Sequence, residues 1–162
     1  MPLAQTMLPE LEEELAATRR VLERVPWKPD WKPHPKSMTL GRLATLVAEM
    51  PQWATNALTR DDLDVPMPFV PTVLASTAAV VTHFDANAAA ARAALAATPD
   101  AAWERPWTLK FGGHVAFTDS KRMVYRRGLN HLVHHRAQLG VYLRLNEVPV
   151  PAIYGPTADE RG

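Results

Sequence analysis

The stretch NHLVHHRAQLGVYLR, residues 130–144, carries three of the chain's six histidines within five positions. It contains no proline, and its apolar residues recur at helical spacing, which predicts a helix from near Thr118 or Asp119 to about Asn146. Projected at about 3.6 residues per turn, one stripe reads Val124, Gly128, His131, His135, Gln138 or Leu139, Tyr142 and Leu145. His131 and His135 therefore share an otherwise apolar face. Four residues apart is the spacing at which two imidazoles of one helix can bind one ion. The same pair could instead be neutral core histidines that are hydrogen-bonded, and the spacing leaves both readings open. His134 is turned about 100° from His135 and belongs to a flank. Gly128, one turn before His131, costs about 1 kcal/mol relative to alanine in a helix interior. It reads as space kept open beside the pair.

Outward from this stretch, three more amphipathic helices are predicted. The first covers roughly 7–25, where Leu8, Leu11, Leu15, Leu22 and Val25 recur between glutamates and arginines. It stops at Pro26 and the proline-rich PWKPDWKPHPKS. The second takes Thr39 as N-cap and runs to about Leu58, with Leu43, Leu46 or Val47, Met50 and Ala54 inward. Pro51 should kink it. TRDDLDVPMPFVPT reads as a loop by composition, and an alanine-rich third helix follows over roughly 72–97. Its stripe is Leu74, Thr77, Val81, Phe84, Ala88, Ala91 and Leu95. Residues 107–117, WTLKFGGHVAF, are two short apolar runs around Gly112-Gly113, the pattern of a β-hairpin. Residues 147–162 form an extended tail expected to lie across the body. The fold class expected is all-α: one domain over 1–162, a four-helix bundle with a small β-hairpin before the last helix. The loop at 59–71 is long enough to be a crossover connection.

Composition narrows the function. The 162 residues carry a net charge of +1 with 22% charged residues, so there is no broad basic field for nucleic acid. Lys121, Arg122, Arg126 and Arg127 cluster at the start of the last helix, but in a nearly neutral chain they read as a solvated face. The chain has no cysteine, which excludes disulfides, thiolate ligands and a cysteine nucleophile. No apolar run approaches the roughly 20 residues of a membrane span, and glutamates interrupt any signal-peptide order at the N-terminus. The expectation is a cytoplasmic protein with no nucleic-acid or membrane partner. The five tryptophans read as core and interface anchors, some of them rimming a pocket.

LNHLVHHRAQLGVYLRLNEVPVPAIYGP, with its H-x-x-x-H-R-x-Q-L pattern, resembles the last helix and tail of the DinB-like (DinB/YfiT) family. KSMTLGRLATLVAEMPQW resembles that family's second helix. The resemblance implies a four-helix bundle with three histidines on a divalent metal, usually nickel or zinc, open to solvent on one side. It implies that His131 and His135 are two of the ligands. The third should come from LATLVAE, where the family commonly reads LATHVAE; here the position holds Leu46, which cannot ligate. Glu49, three residues on, and His34, in the proline-stiffened KPHPKS, are the candidate substitutes; His114 and His83 are weaker ones. Glu49 could equally be a salt-bridged glutamate, and His34 a plain loop residue. Arg136 and Gln138 are candidates to orient the histidines, with Arg136 alternatively paired to a carboxylate, and Tyr142 reads as core.

The function implied by the resemblance is a metal-dependent hydrolase or thiol-dependent S-transferase acting on a small molecule. Any low-molecular-weight thiol would have to be a cofactor. The alternative, which rests on Leu46, is a metal-free member that binds a small molecule or acts as a structural, stress-related dimer. A homodimer is expected in either case, with the alanine-rich helix a possible face.

Overall fold

A computed structural model of the chain describes residues 1–161. The first helix, α1, spans Leu3–Leu22. It starts earlier than its apolar stripe because the free N–H of Leu3 donates to Asp100 Oδ1 at 2.8 Å. Its last turn tightens through Arg24 N to Val21 O and Val25 N to Leu22 O before Pro26 ends it. Leu11, Leu15, Leu22 and Val25 are buried as expected, whereas Leu8 is exposed. Helix α2 spans Leu40–Glu49, capped by Thr39, whose hydroxyl accepts from Arg42 N at 3.3 Å. Helix α3 spans Pro51–Thr59. The two are one predicted helix bent at Pro51, which has no N–H to donate back along the ladder.

Strand β1, Asp62–Val65, leads to α4 at Thr77–Ala97, which starts where Ser76 accepts from Ala79 N at 3.1 Å. After a short 3-10 turn at Asp100–Ala102 come β2, Pro106–Phe111, and β3, His114–Ser120. Between them Gly112 and Gly113 have φ of 54° and 82°, the positive angles a two-residue hairpin turn needs and glycine allows. Helix α5 spans Lys121–Leu145, capped by Ser120.

The all-α expectation is corrected: the chain is mostly helical but carries a three-stranded sheet in the order β1-β2-β3. The hairpin is longer than predicted, and β1 joins it in parallel, with Leu63 opposite Leu109 and Val65 opposite Phe111. The residues of β1 looked like loop because two of the four are aspartates. Those aspartates hold the hairpin instead. Asp62 accepts from Lys110 Nζ at 2.6 Å, and the Asp64 carboxylate accepts from Gly113 N.

Around the core, α1 packs against α4 and α5, and the bent α2–α3 unit packs against the same two helices. Helices adjacent in sequence are thus mostly diagonal in space. The crossing connections are residues 23–39 and 98–120, while the segment once expected to cross, 59–71, joins the neighbours α3 and α4. Trp103, Trp107, Tyr125 and Phe84 fill the interior with leucines of every helix. The tail lies across α1 and α5: Arg20 donates to Ala152 O at 2.8 Å, Arg24 pairs with Glu160, and Arg144 with Asp159. Gly162, the last residue of the predicted tail, lies outside the described residues. Among the described residues, no helix is long and apolar enough to cross a membrane.

Candidate functional site

Helix α5 brings His131 and His135 together, with their Nε2 atoms 2.8 Å apart. His135 is buried, and its Nδ1 lies 2.7 Å from Gln138 Oε1. An amide oxygen only accepts, so the network assigns the proton to His135 Nδ1 and leaves its Nε2 lone pair facing His131. Gln138 therefore fixes both ring orientation and tautomer, the task of a group that supports a ligand from behind. Its amide nitrogen is 3.2 Å from His134 Nε2, which makes that flank histidine part of the same chain of contacts. Burial holds His135 below the usual imidazole pKa; Gln138 opposes this, while the charges of His134 and Arg42 add to it. His131 is also lowered, first by desolvation and then by its two histidine neighbours. A lowered pKa favours the neutral rings, which have lone pairs to offer.

At Gly128 the position that a side chain would take is occupied by Trp53. A Cβ placed there would lie 2.7 Å from Trp53 Cβ, so glycine is what lets α3 approach α5 and seat Trp53 beside His131. The ring centroids of Trp53 and His131 are 6.5 Å apart. Trp53 and His131 in turn form part of the wall of a cleft of about 490 Å³. Arg42, Leu46 and Glu49 enter it from one face of α2, Leu63 and Val65 from β1, Leu109 and Phe111 from β2. Met67 and Phe69 come from the loop that follows β1. A smaller cavity of about 240 Å³, bounded by Trp53, Phe117, Val124 and Gly128, also reaches His131.

Of the candidate third ligands, only Glu49 reaches the cleft, and its Oε2 accepts from Arg42 Nη1 at 3.0 Å. Leu46 lines the cleft at the position where the family resemblance calls for histidine. His34 lies in the exposed loop before α2, its Nδ1 accepting from Lys36 N at 3.2 Å. His114 is exposed at the start of β3, and His83 sits on α4; neither lines the cleft. Among the described residues no group of three His, Asp or Glu side chains is placed to hold a metal ion.

Arg136 serves elsewhere than the histidines. Its guanidinium pairs with Glu14 Oε2 at 2.6 Å on α1 and donates to the Tyr154 hydroxyl at 2.6 Å. Tyr142 is core, its hydroxyl donating to Met38 O at 3.0 Å. The basic set at the start of α5 is fully paired: Lys121 with Asp61, Arg122 with Glu104, Arg126 with Glu10 and Arg127 with Asp119. Lys121 is buried rather than solvated. The sequence reading missed Arg42, although it precedes Leu46 by four residues and so shares its face. It also missed the cleft wall contributed by β1, which depends on pairing distant in sequence.

This architecture is shared with solved structures, among them two DinB-like proteins. A DinB-like protein from Bacillus cereus is 20% identical, over 93% of this chain and 97% of that one, with a TM-score of 0.69. A DinB-like protein from Bacillus subtilis is 15% identical, over 97% and 99%, with a TM-score of 0.67. The chain therefore has the fold of DinB-like proteins. No protein-family model and no curated protein matches it.

Proposed function

We propose that this chain is a DinB-like protein that binds a small molecule in the cleft beside His131, with the His131–His135 pair as its polar centre. The observation that carries this reading is that His131 belongs both to the paired imidazoles and to the cleft wall. The cleft's 490 Å³ lies within the roughly 300–1,000 Å³ of small-molecule sites. Its walls are mostly apolar with a few convergent polar groups, as such sites require. Among the described residues no protein group engages His131 Nδ1, which leaves that atom to a ligand.

The divalent ion that the resemblance implies fits this site at two positions and fails at the third. His131 and His135 bring their Nε2 atoms together, where an ion would replace the hydrogen that joins them, and Gln138 holds His135 for that role. Leu46 has no lone pair, however, and Arg42 already holds Glu49. Two imidazoles alone hold an ion weakly compared with a three-residue set.

The nearness of the two Nε2 atoms, with Glu49 on the wall of the same cleft, favours a second reading, a metal-dependent hydrolase or thiol-dependent S-transferase. In it, His131 and His135 would hold nickel or zinc, with Glu49, released from Arg42, as the third ligand. The chemistry supplied would be a lowered pKa for a bound water or thiol. The thiol would be a low-molecular-weight cofactor, since the chain has no cysteine. Elemental analysis of tag-free protein purified without chelator separates the two readings. The first expects well under one equivalent of nickel or zinc in the wild type and stoichiometric uptake in Leu46→His. Stoichiometric metal in the wild type, lost in His131→Ala, would replace it with the second.

A further inference from the structure

Arg42 is the one strong cation in the cleft, and its side chain is only 13% exposed. Glu49 Oε2 and Thr72 O both accept from the same nitrogen, Nη1. Among the described residues, the other edge of the guanidinium, Nε with Nη2, has no protein acceptor. That edge is a flat two-donor fork matched to a carboxylate, and at two other arginines of this molecule a carboxylate fills it. Arg19 gives Nε and Nη2 to the two oxygens of Asp85 at 2.9 and 3.1 Å. Arg92 gives the same edge to Glu12 at 2.7 and 2.8 Å. Both of those arginines have side chains 42% exposed, where water would serve nearly as well. Of these three arginines, the most buried is the one whose fork is open.

Apart from Glu49, Gln52, Asn56, Thr72 and His131, the rest of the cleft wall is apolar, with Leu46, Trp53, Leu63, Val65, Leu109 and Phe111 its main surfaces. We infer that the cleft takes a monocarboxylate with an apolar body, its carboxylate bound side-on by Arg42 and its body packed on Trp53 and the inner faces of β1 and β2. Glu49 orients the guanidinium from the opposite edge and opposes a second anionic group, so the ligand carries one carboxylate rather than two.

This rests on the reading of the cleft as a small-molecule site, and the test keeps the two apart. Titration calorimetry is run on chelator-treated protein, so that no ion can hold the acid, with 3-phenylpropionate and octanoate against their primary amides. A bidentate, charge-assisted pair predicts that at least one acid binds roughly ten- to a hundredfold more tightly than its amide. Arg42→Gln should bring that acid down to the level of the amide, and Arg42→Lys, which keeps the charge but not the fork, should fall between. Equal affinity for acid and amide would overturn the carboxylate assignment and leave the small-molecule reading standing. An acid preference that survives in Arg42→Gln would overturn it too. No binding of any of the four compounds would overturn both.

Discussion

A Cβ built on Gly128 would sit 2.7 Å from the Cβ of Trp53. Trp53 Cβ is fixed to the backbone of α3, so it cannot swing away as the end of a long side chain could. Gly128→Ala would therefore push α3 and α5 apart. Alanine would recover about 1 kcal/mol of helix propensity, but overpacking costs about 1–3 kcal/mol. We expect a net loss, read as a fall of several degrees in Tm, since about 1 kcal/mol shifts a domain of this size by about 2–4 °C. A higher Tm in the variant would show that the two helices part without cost. The glycine's singularity was legible in the sequence, and its purpose was not. The His131–His135 pair is local to one helix, so spacing alone puts both rings on one face. Trp53 comes from another helix, and no periodicity in α5 announces it. Leu46 and Arg42 divide in the same way: the missing histidine shows in a motif, whereas the open guanidinium edge shows only in three dimensions.

The helix starts show what local chemistry decides. Thr39, Ser76 and Ser120 each accept a backbone N–H from the residue three further on, at 3.3, 3.1 and 3.4 Å. Only Thr39 was placed correctly from sequence. Leu74 continues the apolar spacing upstream of Ser76, so the stripe hid the true cap of α4. Before α5, the cap fell on Ser120 rather than Thr118 or Asp119 because β3 pairs with β2 as far as Ser120, opposite Pro106, and the helix can start only there. The helices themselves were legible because their signal lies within one turn. Strand β1 was not, since its parallel partner is far along the chain and its own composition favours a turn. Loss of an N-cap costs about 1 kcal/mol. Ser76→Ala should lose about that much in urea unfolding, and Ser120→Ala less, because its bond is the longer. The reverse order would mean that packing, not capping, sets the start of α4.

At the scale of the whole molecule, the bond between the two ends of the chain is a buried ion pair. Arg136 and Glu14 have side chains only 4% and 11% exposed, and they join α5 to α1. Tyr154 brings the tail to the same pair, accepting from Arg136 and donating to Glu14 Oε1 at 2.6 Å. Arg136 also donates to Thr18 Oγ1 and to Glu14 O. In sequence Arg136 stood next to His135 and was read as a candidate to orient it. One residue along a helix is a turn of about 100°, which carries Arg136 away from the cleft to α1. Removing one partner of such a pair leaves a buried charge alone and costs about 3–5 kcal/mol, whereas removing both is often close to neutral. Arg136→Met should therefore be strongly destabilising in urea unfolding. The double variant Glu14→Leu with Arg136→Met should recover most of the loss, since Tyr154 is exposed enough for water to replace its partners. If Arg136→Met stays within about 1 kcal/mol of the wild type, the pair is not what holds α1 and the tail to α5. If the double variant is worse than the single one, the apolar side chains do not fill the space that the ion pair occupies, and the seam between α1 and α5 depends on its hydrogen bonds rather than on its volume.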